Sequence, residues 1–196
     1  MTTMNLFELR KQLRKQRRQL SSFRQKQAQQ RVLNILRTLP EFHTSKSVGI
    51  YLHAFGEIHT QALIEYCFKM AKQVYLPVIC NMNQQLVWVE ISKYQYRNKR
   101  FAHHRLGMRE PVATRGLHVS KLELLIMPLL ACDTVGTRIG MGGGYYDRTL
   151  ASAPRHPFRL GLAHDFQLIH QPLQREAWDQ PLDALITPSL LRRFKR

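Results

Sequence analysis

Nothing in this sequence suggests a disulfide framework or a structural metal. Its three cysteines, Cys67, Cys80 and Cys132, are odd in number, far apart and form no CxxC pair. They read as reduced thiols serving as small buried hydrophobes. Histidines are more numerous, but no HExxH pattern is present, and the adjacent His103 and His104 would point in different directions. Long apolar runs are also missing: none approaches the ~18 uninterrupted residues that a membrane span needs. The opening charges are followed by no apolar h-region, so a secretory signal is not expected. A cytoplasmic protein without a membrane partner is the simplest reading. Internal repeats and low-complexity linkers are absent. With 196 residues, 44% of them hydrophobic, the chain can bury a full core, and residues 1–196 are expected to form a single domain.

Acidic residues are scarce. Thirteen Asp and Glu stand against thirty Lys and Arg, for a net charge of +17. Such a field favours polyanionic partners, whether nucleic acid, nucleotides or acidic metabolites, and does not choose among them. A nucleic-acid-binding module is suggested by the basic residues at 10–31 and 97–115, but interleaved exposed aromatics are missing, which counts against it. A sugar-phosphate or acyl-transfer enzyme is a further rival, and no Ser or Cys stands in an activated setting to support it.

What is present alternates. Residues 5–20 read as an amphipathic helix, with Leu6, Leu9, Leu13 and Leu20 on one stripe and Arg10, Arg14 and Arg18 on another. Like charges at that spacing repel by a few tenths of a kcal/mol per pair, roughly, which either solvent or a bound anion relieves. Ser22 with Gln25 predicts a capping box opening a second helix, which Pro40 ends. The segment "SVGIYL" (47–52) reads as a strand. Thr60 is expected to cap a helix over 61–72, packed through Leu63, Cys67 and Met70. "QVYLPVI" (73–79) is the next strand, with Pro77 ending or kinking it. A strand–helix–strand unit of this kind predicts a parallel crossover. "QLVWVEI" (85–91) is another strand, and 92–120 reads as polar, basic and irregular. "LELLIMPLL" (122–130) suits a strand buried on both faces. "FRLGLA" (158–163) and "DALIT" (183–187) are further strand candidates. The expectation is an α/β fold: a three-layer α/β/α, mostly parallel open sheet, Rossmann-like, behind an N-terminal amphipathic helix.

In open parallel sheets ligands bind beyond the carboxyl ends of the strands. There the buried run 122–130 leads into "CDTVGTRIGMGGGYYDR" (132–148), which places three glycines, Gly142, Gly143 and Gly144, ahead of a short helix from about Tyr145. Glycines let backbone approach phosphate oxygens, and a helix start offers free N–H groups and a positive dipole end. Arg138 and Arg148 add charge, and a Mg²⁺ ion would reconcile Asp147 with a phosphate. Neither familiar nucleotide pattern applies. A Walker loop needs a Lys six positions after its first glycine, and the dinucleotide pattern beginning at Gly140 and Gly142 meets Tyr145 where its third glycine belongs. On physics alone, a nucleotide loop and a tight structural turn both remain open.

"RIGMGGGYYDR" (138–148) resembles the signature of the 5-formyltetrahydrofolate cyclo-ligases, also called 5,10-methenyltetrahydrofolate synthetases. The resemblance runs over nearly the whole chain: "LRKQLRKQRRQLS" (9–21), "FGEIHT" (55–60), "YLPV" (75–78), "GMREP" (107–111), "LLIMPLLACD" (124–133) and "WDQPLDALITP" (178–188) follow in order. It implies an ATP- and Mg²⁺-dependent ring closure of 5-formyltetrahydrofolate to 5,10-methenyltetrahydrofolate, releasing ADP and phosphate. It also implies that Arg138, Ile139, Gly140, Met141, Gly142, Gly143, Gly144, Tyr145 and Tyr146 wrap the ATP phosphates, with Arg10 and Arg14 of the first helix beside them. Leu52, Glu57 and the segment from Met141 to Tyr145 would face the reduced folate. Asp147 and Asp179 would hold Mg²⁺, and Arg138, Arg148 and Tyr145 would serve the reaction directly. The family often carries Lys or Arg four positions before the first clamp arginine, where this chain has Leu6. By family analogy the protein is a monomer whose partners are ATP and a reduced folate, and its basic surface suits a tail of glutamates. Trp88 and Trp178 are both expected in the core, and Tyr146 is expected to pack inward.

Overall fold

The computed structural model describes residues 5–113 and 115–195. Helix α1 (Leu6–Arg18) opens on Asn5, whose side chain accepts the Phe7 and Glu8 N–H groups. Helix α2 (Ser22–Leu36) opens one residue earlier than the capping-box pattern predicts. Ser21, not Ser22, is the cap and accepts the Arg24 N–H, while the Gln25 amide turns inward and donates to the Gly56 carbonyl. Pro40 begins the short helix α3 (Pro40–Thr44), because its fixed φ and missing N–H suit a first helical turn.

Strand β1 (Ser47–Gly49) leads through a long turn to α4 (Gln61–Lys69) and then to β2 (Gln73–Cys80), which lies parallel to β1. The expected crossover unit is therefore present. Its helix is shorter than predicted: Met70 is the C-cap, Ala71 takes a left-handed conformation, and Met70 stays exposed instead of joining the core. Thr60 precedes this helix without a side-chain capping bond, since its hydroxyl donates to the Tyr51 carbonyl. Pro77 does not end β2. It sits opposite Trp88 of β3 (Gln85–Ile91), whose N–H goes to Leu117, so the missing proline donor breaks no bond between these strands. The stretch read as irregular contains helix α5 (Lys93–Arg97) and a hairpin of β4 (Phe101–His103) with β5 (Arg109–Pro111).

Strand β6 (Leu124–Pro128) is followed by a small hairpin, β7 (Ala131–Cys132) with β8 (Arg138–Ile139), then by α6 (Tyr145–Ala151). Strands β9 (Phe158–Leu162), β10 (Ala184–Ile186) and β11 (Leu191–Arg193) complete the chain. Among the described residues, seven strands form one sheet in the order β11-β10-β9-β6-β1-β2-β3. The five inner strands run parallel, and β3 and β11 close the two edges antiparallel. β11 follows β10 through a tight turn of the kind only antiparallel neighbours can share.

One face of the sheet packs against α2 and α4 through Val32, Leu36, Leu63 and Ile64, which are fully buried. The other packs against α6 through Leu150, with Trp88, Leu122 and Leu125 beneath it. Each such large apolar side chain contributes about 1.5–3 kcal/mol by leaving water. The result is the three-layer α/β/α arrangement expected from the sequence. From the centre, β1 leads outward to β2 while β6 leads the opposite way to β9 and β10. The order in which strands are added thus reverses between the parallel neighbours β1 and β6, where a crevice forms outside their carboxyl ends. No helix among the described residues is long and apolar enough to cross a membrane.

Candidate active site

That crevice is a cleft of about 910 Å³. Its two main walls are the turn after β1 and the loop after β8, with α1 laid across them. Arg10, Leu52, Glu57, Asp179 and every residue from Arg138 to Arg148 face it. Of the residues named from the sequence, Arg14 alone stands back from the cleft and instead donates to the Met141 carbonyl at 2.9 Å. Leu6, where the family often has a cation, contributes an apolar edge.

The glycine loop is shaped by its backbone. Gly142 and Gly144 have φ of +105° and +63°, conformations that L-residues reach only with strain. The N–H groups of Met141, Gly142, Gly143 and Gly144 donate to no acceptor among the described residues. Helix α6 is only seven residues long, so its dipole is weak, and the free N–H groups carry more of the anion-binding capacity than the sequence suggested. Arg10 Nε approaches the Gly140 carbonyl at 3.4 Å. The loop is mounted on the β7–β8 hairpin, whose bend is fixed by the buried Asp133: its carboxylate accepts the N–H groups of Val135, Thr137 and Leu173. Asp133 is therefore a turn former.

The two flanking arginines are already engaged. Arg138 donates to Asp147 Oδ1, and its guanidinium lies over the Tyr146 ring, but its buried Nε has no partner. Arg148 braces the loop by donating to the carbonyls of Gly143 and Gln84, with Tyr145 stacked below it at 5.2 Å. Asp147 Oδ1 also accepts the Gln180 N–H at 3.1 Å, and Asp179 Oδ2 accepts the Glu176 N–H at 2.8 Å. The second oxygen of each carboxylate has no protein partner among the described residues. No group of three or more metal-binding side chains occurs among those residues. Two hard carboxylate oxygens beside an anion loop suit Mg²⁺, which takes one or two carboxylates and completes its shell with phosphate and water.

Opposite the loop, Phe55 and Gly56 both adopt positive φ, and Glu57 follows with its carboxylate folded back onto the Ala54 N–H. A side chain at Gly56 would meet the Arg17 carbonyl at 2.4 Å, so this turn is pressed directly against α1. Glu57 is buried, and burial raises its pKa to about 7 despite the Arg17 cation and the Ala54 N–H, which both pull it down. Burial and the nearby Glu57 carboxylate together push the Tyr51 and Tyr146 hydroxyls well up. Tyr146 is indeed packed inward, against Trp88. Leu52 lines the same wall.

Several residues in the cleft or packed directly behind its wall escaped the sequence reading. Arg17, buried behind the Phe55 turn, is one. It lies seven positions after Arg10 and four after Leu13, a spacing that puts all three on one face, and Arg17 and Leu13 are both buried. The every-four pattern of Arg10, Arg14 and Arg18 obscured it. Leu106, Met108, Arg109 and Glu110 form a third wall from the β4–β5 hairpin. Trp178, expected in the core, is 67% exposed at the cleft, on a turn; Trp88 is fully buried as expected.

Comparison with known proteins gives the family and the fold. The sequence model of the 5-formyltetrahydrofolate cyclo-ligase family matches residues 4–188. A 5-formyltetrahydrofolate cyclo-ligase of Escherichia coli strain K12 is 36% identical over 181 residues, covering 90% of this chain and 97% of that one. One from Haemophilus influenzae is 34% identical over 190 residues, covering 95% and 100%. The NMR structure of the Aquifex aeolicus 5,10-methenyltetrahydrofolate synthetase superposes with a TM-score of 0.82 at 30% identity, covering 97% of this chain and 93% of that one. The chain is an enzyme of the ligase class and belongs to the 5-formyltetrahydrofolate cyclo-ligase family.

Proposed function

We propose that this protein closes the ring of 5-formyltetrahydrofolate to give 5,10-methenyltetrahydrofolate, using ATP with Mg²⁺ and releasing ADP and phosphate. The observation that carries this reading is the pairing, across one cleft, of an arginine-flanked loop with free N–H groups and a buried carboxylate at Glu57. The first suits a triphosphate. The second suits the N–H-rich edge of a pterin, which a carboxylate binds in a fork.

The formyl oxygen is a poor leaving group. It attacks the γ-phosphorus, ADP departs, and the resulting imidate phosphate carries an activated carbon. N10 then attacks that carbon, loses its proton, and phosphate is expelled as the five-membered ring closes. The protein supplies positioning and charge neutralisation. Arg138 and the loop N–H groups neutralise the transferred charge, and Arg148 holds the loop in shape from behind. Tyr145 offers its ring to the folate, and Glu57 orients the pterin. Asp147 and Asp179 would hold Mg²⁺, which supplies Lewis-acid neutralisation of the phosphates when bound.

The test is direct. Purified protein given ATP, Mg²⁺ and 5-formyltetrahydrofolate should generate the methenyl absorbance, with one ADP formed per product. ATP hydrolysis indifferent to the folate, or no product at all, would refute the proposal.

A further inference from the structure

Arg17 is only 1% exposed, a depth that Arg159 alone shares among the cations of the described residues. Nothing in the mechanism above uses it. Its guanidinium nevertheless reaches three separate segments that build the cleft. Nε donates to the Phe55 carbonyl at 2.9 Å, in the turn that carries Glu57. Nη1 donates to the Leu129 carbonyl at 3.2 Å, where β6 hands the chain to the β7–β8 hairpin, and lies 3.9 Å from Glu57 Oε1. Nη2 meets the Met141 sulfur at 3.7 Å, inside the glycine loop. Burial lowers its pKa, yet a guanidinium keeps its proton in any folded protein. A buried permanent cation is costly unless several acceptors share it. Here those acceptors come from both halves of the cleft.

We infer that Arg17 is a positioning residue that locks the folate-side turn and the nucleotide loop into one geometry and sets the charge presented by Glu57. This rests on the function proposed above. A planar fork with five donors can hold three segments at fixed angles, which a lysine cannot. The neighbouring carbonyls are secured independently: Gln25 and His164 hold Gly56, and Gln167 holds Leu129 and Leu130. The surrounding shell therefore survives loss of the Arg17 contacts, and removing the fork should loosen the link between the ligands more than the fold.

The groups facing Glu57 are Arg17 from α1, Tyr51 beyond β1 and Tyr146 from α6, with His164 behind Gly56. His164 stays neutral, held down to about 4 chiefly by burial, and both tyrosines are pushed up. Within the physiological range Glu57 is thus the group that changes charge here, and Arg17 is the cation that favours its ionised form.

The experiment is calorimetric binding of 5-formyltetrahydrofolate, and separately of a non-hydrolysable ATP analogue with Mg²⁺, to wild type, Arg17→Gln, Arg17→Lys and Glu57→Gln. In wild type, folate affinity should rise with pH through a break near 7, and Glu57→Gln should lack the break. In Arg17→Gln, where the cation is gone, the break should move up by at least about one unit. Arg17→Lys keeps the charge and so keeps the break, but should bind the ATP analogue roughly 10-fold more weakly, the loss of one charge-assisted hydrogen bond. An unmoved break in Arg17→Gln, or wild-type nucleotide affinity in Arg17→Lys, would overturn the inference. Should Arg17→Gln fail to fold, the lysine variant decides. If wild type binds both ligands but makes no methenyl product, the proposed reaction fails while these shifts still test Arg17. If wild type binds no folate, both fall together.

Discussion

The guanidinium of Arg138 and the carboxylate of Asp147 are bonded across the glycine loop, and the same carboxylate oxygen accepts the backbone N–H of Gln180. One atom thus joins β8, α6 and the turn that carries Asp179. This leaves Asp147 Oδ2 for a metal and Arg138 Nε for an anion. Asp147→Asn keeps an acceptor for both donors but removes the charge. It should form methenyl product on the order of 100-fold more slowly, as expected when a charge-stabilising group is lost. Asp147→Ala should be equally slow and also less stable by about 3–5 kcal/mol, because Arg138 is left as an unpaired, nearly buried cation. Coupled absorbance assays with thermal melts separate the two effects. Full activity in Asp147→Asn would remove the metal assignment.

Arg10 stands at the cleft edge with only a long bond to the Gly140 carbonyl, so its charge is still available to a ligand. Arg10→Ala should raise KM for ATP about 10-fold or more, with kcat changed little, since a charge-assisted hydrogen bond contributes about 1.5–3 kcal/mol. Steady-state kinetics at saturating folate would show this. An unchanged KM would take the first helix out of nucleotide binding.

Gly56 and Gly142 both have positive φ, yet they should fail differently on substitution. A Cβ at Gly56 would lie 2.4 Å from the Arg17 carbonyl, and a helix backbone cannot yield. Gly142 has nothing within 4 Å of the same atom, so an alanine there meets only backbone strain. Gly56→Ala should therefore lower Tm by roughly 6–12 °C, taking about 3 kcal/mol at 2–4 °C each. Gly142→Ala should lower it by only a few degrees, at about 1 kcal/mol, while reducing activity more than stability. Equal losses of Tm would show that the turn at Gly56 does not bear on α1.

These contrasts also mark where the sequence was readable. β6 announced itself because a strand buried on both faces must be apolar throughout, and the β1–α4–β2 crossover because short apolar, β-branched runs flank a segment of helical spacing. The edge strand β11 and the β4–β5 hairpin were hidden: each is three residues long, too short for a period, and their basic composition matches loop. At the site, the glycine loop was legible from its composition, and Glu57 and Asp179 only from resemblance. Arg17 was not legible, since a cation among nine basic residues of the first 31 gives no sign that it alone is buried. Burial of a charge is decided by what packs over it, here the Phe55–Gly56 turn from a distant part of the chain.

Trp178 gives the last contrast. Trp88 lies beneath α6 with no exposure, whereas Trp178 is 67% exposed on the turn shared with Asp179, and its carbonyl accepts from Gln180, the residue bonded to Asp147. An indole so placed stands on the metal and nucleotide side of the cleft. Its fluorescence should therefore respond to ATP with Mg²⁺, while Trp88, already shielded, supplies a constant background. Titration with the nucleotide should change the emission of wild type and leave Trp178→Phe unchanged. Titration with 5-formyltetrahydrofolate alone should have a smaller effect on Trp178, because the folate wall is built from Leu52 and Glu57 on the other side. A nucleotide response that survives in Trp178→Phe would place the base away from this turn, and a larger response to folate would reverse the assignment of the two sides.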